Sequence, residues 1–358
     1  MSEEQLNRVG QLKEHLKQRG LNGLIVVRPE NRYYFSGFVG TAGILVITNE
    51  KQYLCVDFRY EEQARQQAPD FEIVTGGVSE KLAIDLVREL SLKKVGFEEK
   101  YVNVAQYQEW TKNLPSVEFA PMDSDLITMR MIKSPSEIER IAKAASLGDR
   151  ALTYVVTEFG LDHTELEIAW ALERYMREGG AEGVSFESIV ASGPNSAKPH
   201  AHPSQRRPQP GDFIVMDFGA QLDYYCSDMT RTWIKKPVAG KHKHIYEIVA
   251  TAQQAALDAI APGVTGHDVD KVARDIITEA GYGENFGHGL GHGVGLLIHE
   301  APGLSPGVQT VLKPGMVVTV EPGIYLPGFG GVRIEDLVVV TEDGCRILTG
   351  SSKELSSF

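Results

Sequence analysis

A ten-residue block occurs twice in the C-terminal part of this chain, and the duplication limits the folds open to it. Pro210-Gly211-Asp212-Phe213-Ile214-Val215-Met216-Asp217-Phe218-Gly219 is matched 104 residues later by Pro314-Gly315-Met316-Val317-Val318-Thr319-Val320-Glu321-Pro322-Gly323. Each copy has a Pro-Gly turn, an apolar run of strand character, an acid seven residues after the proline and a glycine two residues beyond the acid. A pair of helical stretches precedes each copy. The first pair opens at Ser134-Pro135-Ser136-Glu137, a capping box with Pro at N1, and runs to about Glu158, then from Thr164 to Glu178 before Gly179-Gly180. The second pair covers 241–260 and 267–280. Turn chemistry does not require an acid at the same point of two strands, so the pattern reads as two related halves, each presenting a carboxylate at an equivalent place.

Each block continues into a hairpin with a second acid on the return strand. Asp217 and Asp228 lie about equally far from a turn at Ala220–Asp223, and Glu321 and Glu335 are centred on Gly328. Such positions are expected to face one another, where like charges repel and burial is costly. Something cationic is therefore expected between them. Arg333 could serve one pair, although spacing leaves its face open. A bound metal centre serves both, and hard oxygen donors suit divalent Mn, Co, Fe, Mg or Zn.

Between the blocks lies Gly287-His288-Gly289-Leu290-Gly291-His292-Gly293-Val294-Gly295, followed by His299-Glu300. The segment accounts for much of a glycine excess, since 16 of the 36 glycines fall after residue 280. No strand–loop–helix unit surrounds it, so it is not read as a dinucleotide fingerprint. It reads as a strand stripped of side chains so that substrate or another backbone can come close. Three imidazoles in twelve residues beside two acid hairpins point to metal ligation. Four carboxylates and an imidazole exceed what one catalytic zinc needs and suit a two-metal site. There, ions ~3.5–4 Å apart acidify a water and polarise a carbonyl, the chemistry of amide hydrolysis.

Residues 1–122 alternate short strand-like runs with helical stretches, which indicates a smaller α/β domain without a phosphate loop or a His/carboxylate cluster. A boundary is expected at 123–132, with the second domain at 133–358. The net charge of −12 argues against nucleic acid or an anionic membrane surface as partner. Cys55, Cys226 and Cys345 are too scattered for a disulfide framework or a thiolate zinc site. No apolar run is long enough for a membrane span, and the charged N-terminus is unlike a signal peptide, so a cytoplasmic protein is expected.

The motifs MDFGA (216–220), SDMTRT (227–232), HGLGHGVGL (288–296), HE (299–300), VEPGIY (320–325) and VRIED (332–336) together resemble the pita-bread metallopeptidase family of methionine aminopeptidase, aminopeptidase P and prolidase. IKSPSEIERI at 132–141 resembles the start of that family's catalytic domain. The resemblance implies an α+β chain: a pseudo-twofold pita-bread domain preceded by a creatinase-like α/β domain. It implies Asp217, Asp228, His292, Glu321 and Glu335 as metal ligands, with Asp228 and Glu335 between two ions, most readily Mn, with Co, Zn or Fe as alternatives. It makes His200 a catalytic histidine, preferred to His202 by its spacing before Asp217. His299 becomes a substrate-contacting histidine, His288 part of the substrate site, Arg333 an active-site arginine and Glu321 also a proton relay. Thr230 is expected behind the ligands. The extra N-terminal domain points to the Xaa-Pro branch, acting on dipeptides or on peptides with proline second, as a homodimer. A non-catalytic peptide-binding relative and a hydrolase with phosphotriester side activity are the alternatives.

Overall fold

The computed structural model describes residues 3–358, so Met1 and Ser2 of the expected first domain lie outside the described residues. Two compact units divide between Ile127 and Thr128. In the first unit, helix α1 (Glu3–Gln18) buries Val9, Leu12 and Leu16, the face its periodicity marks. Strand β1 (Gly23–Val26), helix α2 (Pro29–Ser36), strands β2 (Ile44–Thr48) and β3 (Gln52–Cys55), helix α3 (Glu61–Gln67), strand β4 (Glu72–Val74), helix α4 (Ser79–Glu89), strand β5 (Lys94–Phe97), helix α5 (Val104–Asn113) and strand β6 (Glu118–Pro121) follow. They build one mixed sheet in the order β4-β3-β2-β1-β5-β6, in which β1 runs antiparallel to β2 and parallel to β5.

Two of these elements go beyond the sequence expectation. Helix α2 starts on Pro29 at N1 and stops at Gly37, whose φ of 75° ends it in a left-handed cap. Strand β6 is short and only half-buried, so it carries little apolar pattern. The segment 123–132 is mostly helix α6 (Asp123–Met131), and the division between the units falls within it.

In the second unit, helix α7 (Pro135–Tyr154) is closed at its start by the expected capping box: Glu137 N donates to Ser134 Oγ, and Ser134 N donates to Glu137 Oε2. Its last turn, Val155–Phe159, widens to a π-helical turn that ends at Gly160. Helix α8 (Glu165–Glu178) packs beside it, and helices α9 (Gly240–Ala259) and α10 (Gly266–Glu279) form the second pair.

Strands β7 (Gly183–Val184), β8 (Ile189–Ser192), β9 (Phe213–Phe218), β10 (Ala220–Leu222), β11 (Tyr225–Cys226) and β12 (Met229–Ile234) precede α9. After α10 come β13 (Gly291–Gly293), β14 (Glu300–Leu304), β15 (Val317–Val320), β16 (Gly323–Leu326), β17 (Gly330–Arg333), β18 (Asp336–Val340), β19 (Cys345–Ile347) and β20 (Ser356–Ser357). The two main sheets run β20-β12-β9-β8 and β14-β13-β15-β18-β19. Leu147, Ile168 and Leu172 of the first helix pair share one core with Met216 and Phe218 of β9. Val249, Val269 and Ile277 of the second pair share another with Val318 and Val320 of β15. Each half of the repeat thus buries its own sheet face under its own helix pair.

The hairpin registers differ between the halves. Asp217 pairs with Thr230, not with Asp228, which lies just before β12. The reason is an extra small hairpin, β10–β11, whose tight turn uses positive φ at Asp223 and Tyr224. Because the offset is two residues, Asp228 remains on the face of Asp217 as a diagonal neighbour. In the second half Val320 pairs with Asp336, so one step further along Glu321 stands opposite Glu335, as expected.

Candidate metal centre

Asp217, Asp228, His292, Glu321 and Glu335 all line one cavity of about 430 Å³ in the second unit. Ligand atoms of Asp228, His292 and Glu335 lie within 4.8 Å of one another. His292 Nε2 is 3.3 Å from Glu321 Oε1 and 3.6 Å from Asp228 Oδ2. Its Nδ1–H donates to the Gly293 carbonyl at 3.1 Å, which turns Nε2 toward the acids. Strand β13 carries His292 between two neighbours, β14 and β15. A Cβ on Gly291 would lie 2.0 Å from Thr319 O, and one on Gly293 would lie 2.5 Å from Ala301 O. At these two positions the glycines therefore admit another backbone.

Asp217 and Glu335 are each hydrogen-bonded at one oxygen and unpaired at the other. Thr230 Oγ1 donates to Glu335 Oε2 at 2.7 Å, and Thr319 Oγ1 donates to Glu321 Oε1 at 3.0 Å while accepting from His292 N. Arg333 Nη2 donates to Asp217 Oδ2 at 2.5 Å, and its Nε donates to Thr230 Oγ1. Yet Asp217 Oδ1, Asp228 Oδ1 and Glu335 Oε1 are buried without a hydrogen-bond partner among the described residues. Buried carboxylate oxygens are costly when unsatisfied. Three of them in one cavity with the His292 imidazole are the donor set of a divalent cation site.

The electrostatics agree. Burial, reinforced by the charges of Glu335, Asp217 and Glu321, pushes the Asp228 carboxyl well above the usual range. Burial together with Glu321 and Asp217 does the same to Glu335. Burial opposes a charge on His292, but the contact with Glu321 outweighs it and raises this group. Without metal the cluster draws positive charge from Arg333 and His292; bound divalent ions would displace the His292 Nε2 proton and supply the charge in its place.

The other expected residues occupy distinct places. His200 and His299 are exposed on the cavity wall, the latter with its ring edge-to-face against His292 at 4.3 Å. His202 also lines the cavity, 3.5 Å from Glu187. His288 has both ring nitrogens engaged: Nδ1 donates to Gly289 O, and Nε2 accepts from Tyr325 OH. Burial holds His288 below its ordinary value, in keeping with a neutral ring. It therefore offers the cavity a ring rather than a free nitrogen.

Tyr325 is a residue the sequence reading passed over, although it ends the VEPGIY motif. Its hydroxyl accepts from Arg333 Nη1 at 2.9 Å and links the arginine to His288. Thr319 was missed as well, because a threonine in an apolar strand carries no signal of its own.

Comparison with known proteins agrees with this architecture. Residues 139–342 match the family model described as metallopeptidase family M24, and residues 8–132 match the creatinase/prolidase N-terminal domain. The chain is 37% identical to an Xaa-Pro dipeptidase of Pyrococcus furiosus over 97% of its own length and 99% of that protein's. It superposes on the structure of an Xaa-Pro dipeptidase from Bacillus anthracis with a TM-score of 0.95 at 42% identity, covering 99% of this chain and 100% of that one. The structure of an X-Pro aminopeptidase from Thermotoga maritima gives a TM-score of 0.91 at 38% identity, over 98% and 99% of the two chains.

Proposed function

Because the chain belongs to metallopeptidase family M24, we propose that it hydrolyses the peptide bond ahead of proline in Xaa-Pro dipeptides. The observation that carries this reading is the set of three orphaned carboxylate oxygens, on Asp217, Asp228 and Glu335, in the cavity that His292 also lines. In this proposal Asp217, Asp228, His292, Glu321 and Glu335 would hold two divalent ions. Mn²⁺ suits a set of four carboxylates and one imidazole. When bound, the ions supply an acidified water and Lewis-acid polarisation of the scissile carbonyl.

The residues divide the remaining work. Glu321 carries the proton released by the attacking water to the prolyl nitrogen, which leaves as a secondary amine. His200 and His299, on the cavity wall, donate to the carbonyl oxygen as it gains charge. Arg333 and Thr230 hold Asp217 and Glu335 in place, and Tyr325 steadies Arg333. The cavity of about 430 Å³ is of a size for a dipeptide. Homodimeric assembly and a cytoplasmic setting complete the proposal; no helix among the described residues is long and apolar enough to cross a membrane.

The test is hydrolysis of Xaa-Pro dipeptides and Xaa-Pro-Yaa tripeptides by Mn²⁺-loaded protein. Faster dipeptide cleavage is expected. Faster tripeptide cleavage would favour the aminopeptidase reading, which the likeness to the Thermotoga structure supports. No cleavage of either with Mn²⁺, Co²⁺, Zn²⁺ or Fe²⁺ would refute both.

A further inference from the structure

Two motif residues have no part in the chemistry above: Arg231 of TRT and Asp336 of IED. They follow Thr230 and Glu335 directly in the chain, and neither lines the cavity. Both are 1% exposed and form an ion pair at 2.7 Å that joins the first half of the repeat to the second. Arg231 spends every donor of its guanidinium on protein acceptors. Nη1 donates to Thr230 O at 3.0 Å and to Glu335 O. Nη2 donates to Asp336 Oδ1 and to Ser351 O at 2.8 Å, and Nε is shared between Ser351 O and Ser352 O.

The C-terminal segment completes this arrangement. Thr349 Oγ1 donates to Asp336 Oδ1, and Lys353 Nζ lies 2.7 Å from Asp336 Oδ2. Gln253 Nε2 donates to the same Oδ2. Asp149 on α7 anchors the segment by accepting from Gly350 N, Ser351 N and Ser351 Oγ. On the other face of the same strands, Glu335 N donates to Thr230 O and Thr230 Oγ1 holds the Glu335 carboxylate.

We propose that Arg231, locked by Asp336 and the segment Thr349–Lys353, is a positioning residue that sets where Glu335 stands relative to Thr230, so that the C-terminal segment tunes metal affinity. The planar fork is essential to this. It spans two carbonyls on one edge and a carboxylate and a carbonyl on the other, which a lysine ammonium cannot do. The proposal rests on Glu335 being a metal ligand.

The experiment is calorimetric titration of Mn²⁺ alone into chelator-stripped full-length protein, paired with the melting temperature of the stripped form. Arg231→Lys is expected to raise the Mn²⁺ Kd by about tenfold or more, the size of effect seen when a ligand's supporting partner is lost. Thr349→Val and Lys353→Met, which leave Arg231 in place, are expected to raise it by a smaller factor, and they decide the matter if Arg231→Lys does not fold. A role in folding alone would lower the melting temperature and leave the Kd of all folded variants at the wild-type value, and that result would overturn the proposal. Absence of Mn²⁺ binding by the wild-type protein would overturn the ligand assignment, and this proposal with it.

Discussion

Gly291→Ala tests whether the glycine-rich strand exists to let two backbones meet at a metal ligand. The added Cβ would lie 2.0 Å from the Thr319 carbonyl oxygen and 2.7 Å from its carbon. Carbon–oxygen contacts relax at roughly 3.3 Å, so β13 and β15 must part by about 1 Å or more. Backbone atoms cannot swing aside as a flexible side chain would. Thr319 also accepts from His292 N and donates to Glu321, so the displacement acts directly on two proposed ligands. Overpacking of this kind costs ~1–3 kcal/mol of stability. A ~1 Å error in an active site costs ~10²-fold in rate. The assay measures Mn²⁺ Kd by calorimetry, kcat on an Xaa-Pro dipeptide at saturating Mn²⁺, and the melting temperature. Gly287→Ala is the control, because Gly287 is exposed and a Cβ there meets nothing within 4 Å. The expected result is a fall in kcat of about 10²-fold with weakened Mn²⁺ binding for Gly291→Ala, and near-wild-type behaviour for Gly287→Ala. Wild-type turnover and metal affinity in Gly291→Ala would refute the reasoning.

Asp228→Asn is expected to abolish tight Mn²⁺ binding while leaving the melting temperature of the metal-free protein unchanged or higher, because it relieves repulsion from Glu335, Asp217 and Glu321; calorimetry and thermal melts check both. Tyr325→Phe removes the hydroxyl between Arg333 and His288 and leaves a buried guanidinium one acceptor short, at a cost of ~1–3 kcal/mol. Melts should show the loss, and kcat should fall more than Mn²⁺ affinity. In the N-terminal unit, burial raises the Glu98 carboxyl above its ordinary 4.5, despite donors from Val27 N, Arg28 N and Asn31 Nδ2. A folded value above the unfolded one means its contribution is full below pH 4.5 and lost as pH rises through the raised value. Urea melts should therefore show the stability of wild type relative to Glu98→Gln falling as pH rises from 4.5, and a pH-independent difference would count against the assignment.

What could be read from the sequence was whatever leaves a periodic or positional trace. Helix α7 announces itself through its Ser134/Glu137 cap, and the duplicated Pro-Gly blocks locate β9 and β15. The acids stand out because strands this apolar seldom carry them. The glycine-flanked His292 was legible for the same reason, although the sequence left open whether substrate or backbone approached. The register of the first hairpin was not legible, since two residues in left-handed backbone at Asp223 and Tyr224 move the turn and no glycine marks the place. Tyr325 and Arg231 have polar roles that depend on contacts across 8 and 105 residues, respectively. No local pattern encodes such contacts.

The registers also show how two similar halves make one unlike site. In the first half Asp217 faces Thr230, and continuing the ladder past Phe218 and Met229 brings Gly219 opposite Asp228. In the second, Glu321 faces Glu335 and Gly323 pairs with Arg333. Asp228 and Arg333 thus hold equivalent places, as do Thr230 and Glu335. If both halves repeated the second, two arginines would crowd the site; if both repeated the first, two threonines would stand where one threonine now donates to one glutamate. The mixed arrangement ties the halves together: Thr230 holds its opposite number Glu335, and Arg333 reaches back across the halves to Asp217. It leaves four carboxylates against one guanidinium, an excess of negative charge that divalent ions can balance. Duplication therefore accounts for the scaffold, and its departure from symmetry at these two pairs accounts for the chemistry.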